Sequence, residues 1–190
     1  MTLKEIIIKC RSYRRFYEEI KIKRQELEEL VELASFAPSG KNIQHFKYHI
    51  ACNDQLCDEI FECTTWAALL KTWKGPEKGE RPVAYITLLL DTQISNNQWH
   101  DEGFAAQNIL IGAVEKGYGA CVIAALNRNK LSQLLQLPEK LQIVFTIALG
   151  KPKEKVVIDF IENNESTDYF RDENNVHHVP KRKLKDILIN

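Results

Sequence analysis

Ala37-Pro38-Ser39-Gly40-Lys41-Asn42-Ile43-Gln44-His45-Phe46 is the stretch on which the reading of this chain turns, because it joins an amphipathic helix to a strand. On its N-terminal side, Leu27, Leu30, Val31, Ala34 and Ala37 recur at helical spacing over residues 24–37. Glu26, Glu28, Glu29 and Glu32 fall on the face turned to water. The helix must stop at Ala37, since a residue before proline is disfavoured in helical geometry, and Ser39-Gly40 makes a turn. On the C-terminal side, Lys47 to Ala51 reads as a short strand. The loop itself gathers Ser39, Asn42 and Gln44, uncharged groups that suit a polyol chain or the edge of a heteroaromatic ring better than a metal. They equally suit an ordinary helix–strand connection.

Helix and strand keep alternating in both directions. Leu3, Ile6, Ile7 and Cys10 mark a helix over residues 3–10. Asp54 to Trp73 reads as a second helix, capped at Asn53 or Asp54. Gly75-Pro76-Glu77-Lys78-Gly79-Glu80-Arg81-Pro82 is a polar loop, expected to be the most mobile segment. Val83 to Leu90 is a near-continuous apolar run, the pattern of a buried strand. Asp101 to Lys116 is a helix rich in small residues, closed by Gly117 as its C-cap. Strands at 120–124 and 143–149 flank a helix at 129–137 that Pro138 ends. Residues 151–190 differ: they form a charged tail with one apolar run, Val156 to Ile161, and a final short helix or strand. The pattern predicts one α+β domain over residues 1–190, with 151–190 as an extended C-terminal arm.

Composition narrows the function classes. Lys+Arg and Asp+Glu number 26 each, so the chain lacks the basic excess of a general nucleic-acid binder. Nothing approaches the ~20 consecutive apolar residues of a membrane span, and the N-terminus lacks a signal-like apolar core, so a cytoplasmic protein is expected. Five cysteines without a CxxC pair read as reduced thiols rather than a disulfide framework or a zinc site, and no metal site is expected. His100, His177 and His178 read as surface or interface residues.

Three further segments could carry chemistry. Arg11-Ser12-Tyr13-Arg14-Arg15 sets forked guanidiniums and a hydroxyl where an anion could be cradled, although the run also reads as a solvated basic turn. In Gly117-Tyr118-Gly119-Ala120-Cys121-Val122-Ile123-Ala124-Ala125, two glycines allow tight backbone turns, and the small residues after them could let a flat ligand approach the main chain. A helix cap entering a core strand explains them as well, and no GxGxxG fingerprint is present. Val179-Pro180-Lys181-Arg182-Lys183 is a basic cluster that gains meaning only if the fold brings it to residues 11–14.

In order and spacing these segments resemble the FMN-dependent nitroreductase family. Arg11-Ser12-Tyr13-Arg14-Arg15-Phe16 matches its opening R-S-x-R-x-F/Y motif, and Ala37-Pro38-Ser39-Gly40-Lys41-Asn42-Ile43-Gln44 its A-P-S-G-x-N-x-Q loop. Ala105-Ala106-Gln107-Asn108-Ile109-Leu110 follows the A-A-x-N-L-x-L helix, and Gly117-Tyr118-Gly119 the G-L-G turn. Ile147-Ala148-Leu149-Gly150-Lys151-Pro152 looks like the I-A-L-G-x-P strand, and Val179-Pro180-Lys181-Arg182 like the C-terminal basic motif. Cys10 departs from the usual Arg or His, and His45-Phe46 from the usual Pro-Trp. Ala124 stands where some relatives carry a glutamate.

The resemblance implies a central mixed or antiparallel sheet flanked by helices and a homodimer with FMN at its interface, the C-terminal arm wrapping the partner. Arg11, Ser12 and Arg14 would hold the FMN phosphate and ribityl chain, joined by Lys181 and Arg182. Pro38, Ser39, Gly40, Asn42 and Gln44 would line the ribityl chain and ring, and the backbone of Ile123, Ala124 and Ala125 would lie along the isoalloxazine. No catalytic side chain is implied: flavin N5 carries electrons from NAD(P)H to a nitroaromatic, quinone or similar small acceptor. A specialised flavoenzyme that dehydrogenates a heterocycle, removes halogen or converts flavin remains open, as does a non-catalytic flavin-storage protein.

Overall fold

In the computed structural model, which describes residues 1–189, the chain runs through α1 (Leu3–Lys9), β1 (Phe16–Tyr17), α2 (Arg24–Ser35), β2 (Phe46–Ala51) and α3 (Asp54–Phe61). It continues through β3 (Ala84–Asp91), α4 (Asp101–Glu115), β4 (Gly119–Ile123), α5 (Arg128–Leu134) and β5 (Leu141–Pro152). β6 (Val156–Ile161), β7 (Phe170–Arg171) and β8 (His177–Arg182) follow, and a short 3-10 helix at Leu184–Asp186 comes after β8, where the sequence predicts a final short helix or strand. β2, β3 and β5 pair antiparallel in that order; β4 and then β1 pair along the other edge of β5. The fold is α+β, as the sequence pattern predicts.

β3 is buried at every position, which explains its unbroken apolar sequence. Ile86, Leu88 and Leu90 meet Leu27 and Leu30 of α2 and Ile109 and Ala113 of α4 on one side of the sheet. Tyr85 and Leu89 point to the other side, where Ile60 of α3, Leu131 of α5 and Trp66 close a second core. Each fully buried leucine contributes about 2 kcal/mol. Thr87 and Thr146 face each other in register with no solvent exposure, and their hydroxyls satisfy one another at 3.0 Å.

The family-like helix motif has a packing role here. Ala105 and Ala106 are buried, and a Cβ at Gly112 would lie 2.4 Å from Leu33 Cδ1, so α2 rests directly on α4. Asn108 Nδ2 donates to the Leu33 carbonyl at 2.9 Å, satisfying an end group of α2. α4 itself ends in a Schellman motif. Gly117, at φ +77°, donates its N–H to Val114, while Tyr118 N–H reaches back to the Ala113 carbonyl.

Two sequence expectations need correction. The helix expected over 54–73 stops at Phe61, because Thr64 bridges to Leu126, Thr65 N–H donates to the Ala125 carbonyl at 2.8 Å, and Trp66 turns into the core. The loop at 75–82, expected to be mobile, is anchored. Gly75 and Pro76 are buried, Glu80 takes a bidentate pair from Arg15 at 2.5 and 2.6 Å, and Glu18 accepts from the backbone of Gly79 and Arg81. Within the chain, the expected arm carries structure of its own. β6 and β8 pair parallel, β7 adds antiparallel, and this small sheet packs against Arg14 of the same chain.

Candidate functional site

Two glycines set the position of the N-terminal basic run. Gly119 and Gly150 face each other across β4 and β5. A Cβ on Gly119 would fall 2.7 Å from the Tyr13 ring, and one on Gly150 would fall 2.8 Å from Phe16. The strip without side chains is therefore filled by Tyr13 and Phe16. Tyr13 N–H donates to the Ala120 carbonyl at 3.0 Å, Ser12 bridges Ala120, and the run from Arg11 to Arg14 is laid along β4.

β8 approaches the same place. Alternation along a strand puts His177, Val179 and Lys181 on one face and His178, Pro180 and Arg182 on the other. The first face joins Arg11, Ser12, Arg14 and Gln107 around a cleft of about 310 Å³. Arg182 turns away and binds Asn163 through its carbonyl and side-chain oxygens at 2.7 and 2.9 Å. Within one chain the structure thus brings Lys181 to the basic run and leaves Arg182 outside it. Cys10 lines this cleft too, beside Gln107, whose Nε2 points at its sulfur.

A second cleft of about 170 Å³ lies between Ile123-Ala124-Ala125 and Thr65-Trp66-Ala67-Ala68. Arg14, Val122 and Tyr169 line both spaces, so the clefts adjoin. Pro38, Ser39 and Gln44 line a third cleft of about 240 Å³ with Asp101 and Ala105. Gly40 and Asn42 shape that loop rather than line it. Gly40 N–H donates to Asp101 at 2.8 Å, and Ser39 Oγ accepts from Gln44 N–H at 3.0 Å. Lys41, Asn42 and Gln44 hold positive φ, as do Trp99 and His100 in the turn before α4. Left-handed backbone in five non-glycine residues is strain held in place by packing.

The third cleft does not meet the other two within one chain. Asp101 and Ala105 front it, whereas Gln107 and Leu110 front the first cleft. At ~100° per residue these pairs sit on opposite faces of α4. His45, which stands with Phe46 where the family's usual Pro-Trp would be, is fully buried with its ring tilted against Phe46.

Arg14 is the electrostatic centre of the adjoining clefts. It is 9% exposed, and among the described residues no carboxylate lies within ion-pair distance of its guanidinium. Nη1 donates to the Ser12 carbonyl at 3.2 Å and to His177 Nε2 at 3.1 Å, and Tyr169 stacks on the group at 4.7 Å. Glu154 is close but occupied: one oxygen accepts from the backbone of Arg14 and Arg15, and the other pairs with Arg171 at 2.8 Å. A buried unpaired cation is costly unless an anion joins it. The Arg11 Nε is also buried without a partner.

His177 is 1% exposed within the single chain, where a surface or interface position is expected from the sequence. Burial, reinforced by Arg14, Arg171 and His178, pushes its imidazole down to about 4. Its neighbour behaves oppositely: Asp159 at 2.7 Å, and then Asp172, raise the His178 imidazole above its usual value. His177 and Tyr169 were missed as site residues. The available signal was strand alternation, since a residue two or four positions from Lys181 shares its face.

The profile of the Nitroreductase family matches residues 7–151. YodC of Bacillus subtilis strain 168, named as a candidate NAD(P)H nitroreductase, is 28% identical over 160 residues, covering 68% of this chain and 79% of YodC. A nitroreductase family protein of Clostridium novyi NT superposes with a TM-score of 0.65 at 28% identity, covering 80% of this chain and 86% of that one. A protein of Clostridium difficile R20291 described as an FMN-dependent nitroreductase shares the fold, with a TM-score of 0.65 at 19% identity over 79% of this chain and 87% of its own. With the basic run, the polar loop, the A-A-x-N helix and β5 all inside or at the edge of the matched region, the chain belongs to the nitroreductase family.

Proposed function

We propose that this oxidoreductase binds FMN in the two adjoining clefts and transfers electrons from NAD(P)H to a small organic acceptor such as a nitroaromatic or a quinone. The observation that carries the reading is Arg14, a buried cation without a carboxylate partner at the junction of the clefts. Arg11, Arg14 and Lys181 fit a phosphate at one end, with the Ser12 hydroxyl as a neutral donor. At the other end, Ile123, Ala124 and Ala125 offer a small-residue wall, and Trp66 faces them across a gap suited to a flat ring. Bound there, FMN supplies the redox chemistry that no side chain in the site provides. Arg14 touches both clefts, so its charge also favours the electron-rich state of a ring beside it.

The polar loop enters this reading through a second copy of the chain. Pro38, Ser39, Gly40, Asn42 and Gln44 lie on the far side of α4 from the basic cleft, so they complete the site only when supplied by a partner. Exposed apolar side chains support that homodimer. α1 buries none of its residues, Leu3 and Ile7 are 64% and 44% exposed, and Phe104 on α4 is 52% exposed.

The test is titration of the purified protein with FMN, followed by anaerobic NADH or NADPH and then an acceptor. One FMN per chain, bleaching by the nicotinamide and recovery of colour with the acceptor are expected. Failure to bind FMN overturns the reading; a bound flavin that neither nicotinamide bleaches overturns its NAD(P)H part.

A further inference from the structure

We propose that His177 is a positioning residue, a neutral imidazole that aims the Arg14 guanidinium into the cleft while leaving its charge free for the phosphate of the ligand. The inference rests on the reading of this cleft as the phosphate end of an FMN site. It begins with what holds Arg14. The partners of its guanidinium are the Ser12 carbonyl, His177 Nε2 and the Tyr169 ring, and each of them is uncharged. A carboxylate at position 177 could hold the guanidinium equally well, but it would cancel the charge that an anion must find.

The donor inventory fixes the state of His177. An arginine offers only donors, so His177 Nε2 must be the acceptor of the 3.1 Å bond and the ring proton must sit on Nδ1. A doubly protonated ring could not accept that bond and would add a third positive charge beside Arg14 and Arg171. The depressed imidazole value of about 4 agrees with this assignment at ordinary pH. Among the described residues, the one acidic side chain buried in the cluster is Glu154, whose two oxygens are occupied by the backbone of Arg14 and Arg15 and by Arg171. It anchors the bend of the chain without reaching the Arg14 guanidinium.

β8 makes the arrangement compact. His177 and Lys181 lie four residues apart on one strand face, so one element delivers both the residue that orients Arg14 and a further cation to the same cleft.

Three substitutions separate positioning from simple packing. His177→Gln keeps a neutral acceptor in reach of Arg14, His177→Glu keeps an acceptor but adds a negative charge, and His177→Leu removes the acceptor. Dissociation constants for FMN and for riboflavin, which lacks the phosphate, are measured by flavin fluorescence alongside the melting temperature of each flavin-free protein. His177→Gln is expected to retain the preference of the wild type for FMN over riboflavin. His177→Glu is expected to reduce that preference about tenfold or more without lowering the melting temperature, because a new ion pair forms with Arg14. His177→Leu should lose the preference too; if it does not fold, the glutamate variant decides alone. An unchanged FMN-to-riboflavin ratio in His177→Glu overturns the proposal, as does an equal weakening of both ligands, which would mark a packing role. A wild type that binds FMN no better than riboflavin overturns the phosphate reading itself, and the proposal with it.

Discussion

Replacing Arg14 with methionine separates two explanations of a buried arginine. The substitution keeps much of the aliphatic stem and removes the guanidinium. Two hydrogen bonds disappear, to the Ser12 carbonyl and to His177 Nε2, each contributing about 1 kcal/mol net. Stacking on Tyr169 adds about 1 kcal/mol to the loss. Against this, a guanidinium that is 9% exposed and has no carboxylate partner carries a desolvation cost of several kcal/mol, which its removal relieves. The two sides nearly cancel, so the flavin-free protein is expected to change by no more than about 1 kcal/mol, or roughly 2–4 °C in a chain of this size. FMN binding has no such compensation. Losing a charged donor pair on a phosphate costs about 3 kcal/mol, which is roughly a hundredfold in dissociation constant. Calorimetry of the flavin-free protein and fluorescence titration with FMN and riboflavin at fixed salt measure both quantities, and riboflavin affinity should stay close to wild type. A variant that melts 10 °C lower yet binds FMN normally would show that Arg14 is a structural strut, and the reasoning would fail.

Other outcomes follow from separate parts of the fold. Gly150→Ala should destabilise the protein by about 1–3 kcal/mol, read by urea denaturation, because the new methyl falls 2.8 Å from fully buried Phe16. His177 and His178 should respond to pH with opposite signs. A value near 4 for His177 against 6.5 in the unfolded chain means stability present above pH 6.5 and lost towards pH 4, by roughly 3 kcal/mol, so His177→Gln should flatten that acid limb. The raised His178 imidazole stabilises below pH 6.5 and ceases to do so as pH climbs through its folded value, so His178→Gln should cost stability at pH 5.5 but not at pH 9. Glu80→Gln should lose about 1 kcal/mol and speed amide exchange across residues 75–82, since the bidentate Arg15 pair is one of that loop's anchors. Unchanged exchange there would mean that burial of Gly75 and Pro76 suffices.

The legible parts of this fold are those whose cause is local. Val83 to Leu90 declares a strand buried on both faces, and the leucine spacing before Pro38 declares α2, because side-chain period and core contact coincide there. Gly117 declares the end of α4 because a glycine closing a helical run supplies a left-handed cap without strain. Misreadings arose where a distant partner decides. Nothing near Thr64 says that its segment will pair with residues 125 and 126 instead of continuing α3. The composition of 75–82 likewise cannot reveal Arg15 and Glu18, which tie it down from either end of β1. In the candidate site, the residue types of the basic run were legible and their neighbours were not. Alternation along β8 separates Lys181 from Arg182 and places His177 on the face of Lys181.

α4, with its two fronts, has a genetic consequence. For a site assembled from two copies, a lesion near Ala105 spoils the pocket served to the partner, while a lesion near Gln107 spoils the chain's own pocket. Two inactive alleles of these two kinds, expressed together, would yield mixed dimers in which one pocket inherits both defects and the other inherits neither. Partial rescue by co-expression, absent between two alleles of the same kind, is the inheritance pattern that a helix with a pocket on each face imposes.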